Sequence, residues 1–120
     1  MSAPNLTNIS TITAKSAIIE LTTLGATVLQ NAASSNKVFK VSSLIISNID
    51  GTSAADFTLR VSKAGGSAFN MFHTVSVPAD SVLVALDKNT TFYLEENDSF
   101  TGIASANSDL LAFIAYEEIS

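Results

Sequence analysis

The 120-residue chain carries six basic and eleven acidic side chains, a formal net charge of −5, and no cysteine. That length fits one domain with one core, and the missing thiols exclude disulfides, thiolate metal sites and cysteine nucleophiles. The basic residues Lys15, Lys37, Lys40, Arg60, Lys63 and Lys88 are scattered along the chain, so neither phosphate-directed nucleic-acid binding nor a basic membrane-surface patch is expected.

Residues 1–14 are rich in Ser, Thr and Asn, with Leu6, Ile9 and Ile12 spaced by three. Good helix formers are scarce there, so the segment reads as an extended N-terminal arm or an edge strand ahead of a domain spanning 15–120. Met1-Ser2-Ala3-Pro4-Asn5 has neither a positive n-region nor an apolar h-region, and no secretory signal is expected. Two strands follow, Ala17–Leu21 and Ala26–Leu29, joined near Gly25.

From residue 38 onward the hydrophobic period is two, the mark of half-buried strands. Runs lie at Val38–Ser47, Ala55–Ser62, Phe69–Val77, Val82–Leu86, Thr91–Glu95, Ser99–Ser105 and Leu110–Glu118. In the second run Phe57, Leu59 and Val61 alternate with Thr58, Arg60 and Ser62. In the third, Phe69, Met71, His73, Val75 and Val77 are expected on one face, and Asn70, Phe72, Thr74 and Ser76 on the other. Corners of Gly, Asn, Asp, Ser and Pro separate the runs at 31–36, 50–53, 64–67, 78–80, 87–89, 96–98 and 106–109. Spacing of roughly 8–12 residues with no long helical pattern between runs predicts an all-β, single antiparallel β-sandwich.

Two segments break the alternation. Leu110-Leu111-Ala112-Phe113-Ile114-Ala115-Tyr116 is apolar on both faces, and Leu44-Ile45-Ile46 has the same character. Such strands are either central or covered by a neighbouring subunit, which points to oligomerisation. Both are far too short to cross a bilayer as helices.

Candidate chemistry is sparse. The single histidine, His73, falls in an alternating run beside Met71 and Val75, where a packed or edge histidine is expected in preference to a catalytic one. Glu95-Glu96-Asn97-Asp98 offers hard oxygen ligands but lacks the interleaved carboxylates and glycine of a calcium loop, so it reads as a turn. Ala64-Gly65-Gly66-Ser67 leads into a strand and not into a helix, so a hairpin is expected in place of a phosphate cradle. Glu117 and Glu118 read as a solvated strand end. The serines form no nucleophile elbow, and one histidine makes a Ser-His-Asp triad improbable. No catalytic, cofactor-binding or metal-ligating residue is assigned, and an enzyme is not expected. Matches to the glycosylation sequon at Asn5, Asn8, Asn89 and Asn97 are what this composition produces by chance. The best aromatic candidates for a sugar-binding surface, Phe72 and Tyr93, lie inside strands.

The stretch Asn31-Ala32-Ala33-Ser34-Ser35-Asn36-Lys37-Val38-Phe39-Lys40-Val41, followed by Leu44-Ile45-Ile46-Ser47-Asn48-Ile49-Asp50-Gly51-Thr52, resembles small virion structural proteins of tailed bacteriophages, especially marine and cyanobacterial ones. The C-terminal portion, from Phe92-Tyr93-Leu94-Glu95-Glu96-Asn97-Asp98-Ser99 to Tyr116-Glu117-Glu118-Ile119-Ser120, is similar to the end of the same proteins. A glycine often stands there in place of Asn97, and asparagine tolerates the positive φ this implies. The resemblance implies a virion component with a jelly-roll-like sandwich, forming homo-oligomers and contacting partners such as the major capsid protein. A capsid decoration or cement role is favoured over a tail or neck role. A carbohydrate- or receptor-binding module is the alternative.

Overall fold

The computed structural model describes residues 10–120, and none of them is helical. Nine strands follow one another in it: β1 (Ile12–Glu20), β2 (Ala26–Gln30), β3 (Val38–Asn48), β4 (Ala55–Ser62), β5 (Ala68–Val77), β6 (Val82–Leu86), β7 (Phe92–Leu94), β8 (Ser99–Ala104) and β9 (Leu110–Ile119). β2 to β9 coincide with the expected runs, whereas β1 begins five residues before the expected Ala17–Leu21. Ile12–Ala14, the last part of the expected arm, are the first residues of β1, an edge strand; residues 1–9 lie outside the described residues.

The strands form two antiparallel sheets packed face to face. One has the order β1-β9-β3-β6, with β7 also pairing β3; the other has the order β2-β8-β4-β5. Pairing in both is antiparallel throughout. Between them lies one core, in which Val41, Leu44 and Ile46 of β3 and Leu110, Ala112 and Ile114 of β9 meet Phe57, Leu59 and Phe100 of the other sheet. Each fully buried Leu, Ile or Phe contributes about 1.5–3 kcal/mol relative to exposure. Gly102 of β8 belongs to the same packing: a Cβ there would lie 2.8 Å from Leu21 Cδ2 and 3.1 Å from Val28 Cγ2.

The expected faces of β5 are corrected. Against β4 it carries two register shifts, pairing Val75 with Phe57, Phe72 with Leu59 and Asn70 with Arg60. Thr74 adopts a positive φ of 46° and donates its N–H to Thr58 Oγ1 at 3.0 Å. Each extra residue reverses the alternation. Phe72 therefore turns inward against Phe57, with ring centroids 6.2 Å apart, while His73 is exposed and Phe69 stands 69% exposed.

Candidate functional site

The acidic turn and the glycine loop, far apart in sequence, meet at one end of the sandwich. Ala64 and Gly65 have φ of 54° and 73°, and Gly66 N–H donates to Lys63 O at 2.9 Å. Two positive φ values in a two-residue connection are what a tight hairpin with right-handed twist demands. Asn97, at φ 66°, lies over Gly65, whose N–H donates to Asn97 O at 2.9 Å. The Asp98 side chain is buried and accepts the N–H groups of Ala64 and Glu95, each at 2.8 Å, as well as the Lys63 ammonium. Lys63 also reaches Glu95 at 3.1 Å. Burial works against the Lys63 charge, but its hydrogen bonds to Asp98 and Glu95 prevail and hold its pKa above the ordinary lysine value.

The 31–37 loop joins the same cluster. Asn31 is fully buried and donates through Nδ2 to Lys37 O at 2.8 Å and Leu94 O at 3.0 Å. Its backbone exchanges bonds with Asp98 O and Asn97 N–H. The carboxylates of this corner thus serve as acceptors for backbone and lysine donors, a structural clasp on three loops.

His73 sits on the outer surface of β5, its Nδ1 3.2 Å from Asn70 Nδ2, and Asn70 Oδ1 accepts Arg60 Nε–H at 3.0 Å. No carboxylate joins that chain of contacts among the described residues. The reading of Glu117 and Glu118 as a solvated end is corrected. Glu118 bridges Lys15 on β1 and Lys37 beside β3, both at 3.1 Å, and Glu117 faces Lys40 at 3.9 Å. For Glu118 burial pushes the pKa upward, but the hydrogen bonds from Lys37 and Lys15 outweigh it and the net displacement is downward.

The feature that stands out is apolar. Pairing aligns Ile18 of β1 with Phe113 of β9, Phe113 with Ile45 of β3, and Ile45 with Val84 of β6. This row crosses the whole outer face of the five-stranded sheet, on the side away from the core. Ile18 is 66%, Val84 56% and Phe113 37% exposed. Beside it runs a shorter row of small residues, Ser16, Ala115 and Ser43. The step between the rows makes a shallow groove of about 470 Å³ lined by Ser16, Ile18, Ser43, Ile45, Phe113 and Ala115.

Of this surface, Phe113 and Ile45 lie in the two segments whose double-faced apolar character was visible in sequence. Ile18 and Val84 escaped because only the register brings them into line. The signal available for Val84 was the unbroken Val82-Leu83-Val84; Ile18 in Ala17-Ile18-Ile19 carried a similar one. No protein-family model, curated protein or solved structure matches this chain.

Proposed function

We propose that the chain is a structural subunit of a bacteriophage virion, a homo-oligomeric capsid decoration or cement protein that works by contact and not by catalysis. The single observation supporting a contact role is the Ile18–Phe113–Ile45–Val84 row, an aligned apolar stripe on an otherwise Ser/Thr-rich, charge-poor surface. Monomeric proteins rarely leave a contiguous apolar patch open, and such patches mark interaction surfaces. The row itself carries no charged side chain, so it can be covered with little desolvation of ions. The virion assignment itself rests on the resemblance of the 31–52 and 92–120 segments.

Within this reading the sandwich is a jelly roll. Counting β6 and β7 as two halves of one interrupted strand along β3 gives eight strands in the orders 1-8-3-6 and 2-7-4-5. Successive strands then pass from sheet to sheet, except the fourth and fifth, which form a hairpin within one sheet, in the double Greek-key sense common among capsid domains. The carbohydrate-binding alternative is less favoured, since Phe69, Tyr93 and Phe113 sit on three different strands and on both sheets.

The test is co-sedimentation of the purified chain with phage heads that lack it. Saturable binding at a copy number matching a symmetry axis of the head is expected. Absence of the chain from purified virions by mass spectrometry would remove the assignment.

A further inference from the structure

We propose that the outer edge of β1 pairs with β1 of a second copy, antiparallel about a two-fold axis at Ala17, joining two five-stranded sheets into one. This deepens the assembly reading above by naming a subunit contact.

The first ground is the contrast between sheet edges. Natural proteins blunt exposed edges with short strands, bulges and charges, because an open row of N–H and C=O groups recruits another strand. Three edges here are blunted: β2 has five residues and a register shift, β5 carries two shifts, and the β6/β7 edge is broken into pieces of five and three residues. β1 is different. Its nine residues pair with β9 without a single shift, from Ile12 opposite Ile119 to Glu20 opposite Leu111. Its other edge has no strand beside it among the described residues. Only Lys15 and Glu20 are charged along it, and Lys15 is held by Glu118.

The second ground is that the edge is self-complementary in one register. A continuous sheet requires paired residues to share a face, so only registers with an even residue sum are allowed. Centring on Ser16 sets Ser16 against itself and Ile18 against Ala14. Centring on Ile18 sets the two isoleucines against each other and Ser16 against Glu20. Centring on Ala17 places Ile18 of each copy opposite Ser16 of the other. Ser16 forms the β1 end of the groove, and Ile18 is the most exposed side chain of the apolar row. Each copy thus supplies a knob where its partner has a gap. In this register Lys15 faces Ile19 and Glu20 faces Ala14, so no like charges are opposed.

The area fits a reversible contact. A wall roughly 30 Å long by 20 Å high gives about 600 Å² per copy, the low end of stable interfaces. Two-fold pairing uses one patch twice and closes on itself.

Sedimentation equilibrium of the full chain is expected to show a concentration-dependent species at twice the 12.5 kDa chain mass. Ile18→Lys should raise the dissociation midpoint about thirtyfold or more while leaving the thermal melt unchanged, since the side chain is exposed. The chain has no cysteine of its own, so register can be read by cross-linking. A mixture of Ser16→Cys and Ile18→Cys should form a disulfide-linked dimer. Neither variant alone should, because like positions would then have Cα atoms roughly 8 Å apart, too far for a disulfide. A monomer up to about 1 mM, a dimer indifferent to Ile18→Lys, or self-cross-linking of either single variant would overturn the pairing. If heads still bind a strictly monomeric chain, this contact falls and the virion reading stands. If the dimer forms and the heads ignore it, the pairing holds and that reading loses its support.

Discussion

Asp98 illustrates how much of this fold hangs on single polar side chains. Its carboxylate is buried at the meeting of the 63–67 hairpin and the 95–98 turn, and it accepts two backbone N–H groups besides the Lys63 ammonium. Asp98→Ala leaves both N–H groups without their acceptor, each costing about 1–3 kcal/mol where water cannot replace it. A loss of about 3 kcal/mol in urea denaturation is expected. Glu95→Gln, which touches the same lysine from an exposed position, should cost under about 0.5 kcal/mol. Glu118 makes a prediction in pH. Its folded pKa lies below the ordinary value of 4.5, so its stabilising contribution is present above that value and is lost as pH falls through the folded pKa. Glu118→Gln should therefore lower the melting temperature at neutral pH, and the gap to the unmodified chain should narrow as the pH is taken below 4.5. A gap independent of pH would show that the Lys15 and Lys37 pairs contribute nothing.

Strands are where packing decides. Gly102 allows β8 to approach Leu21 and Val28 more closely than any side chain permits, and Gly102→Val should cost about 1–3 kcal/mol by overpacking. A far smaller loss by denaturant titration would mean that Leu21 simply swings aside. The strand set itself was legible, because β4 and β8 alternate at period two, while β3 and β6 are runs dense in Val, Ile, Leu and Phe bounded by polar corners. β5 was legible in extent but not in facing. Nothing local in Phe69-Asn70-Met71-Phe72-His73-Thr74 announces two extra residues, since bulges answer to the partner strand. The clasp was half legible: Asn97-Asp98 and Gly65-Gly66 read correctly as turns, but their meeting through Lys63 depends on how β4 and β7 are brought together. The same holds for Glu118, whose partners come from β1 and from the loop before β3.

Taken whole, the molecule keeps its ionic groups at strand ends and corners and leaves the middle of one sheet face apolar. Lys63 closes one end and Glu118 gathers Lys15 and Lys37, while Ile18, Phe113, Ile45 and Val84 cross the face with no charge among them. That division has a consequence for any assembly built on the face. Contacts between opposite charges weaken steeply as salt rises, because the screening length falls from about 10 Å at 0.1 M to about 3 Å at 1 M. Burial of apolar surface does not weaken in this way, and sulfate strengthens it. Binding to phage heads should therefore survive a rise from 0.1 to 1 M sodium chloride and tighten in sodium sulfate. Phe113→Asp should abolish it at a cost to the isolated chain of about 1–2 kcal/mol, since Phe113 is 37% exposed and lies between Ile18 and Ile45. Loss of binding at high salt with Phe113→Asp still bound would place the contact on the charged strand ends instead, and the apolar row would need another explanation.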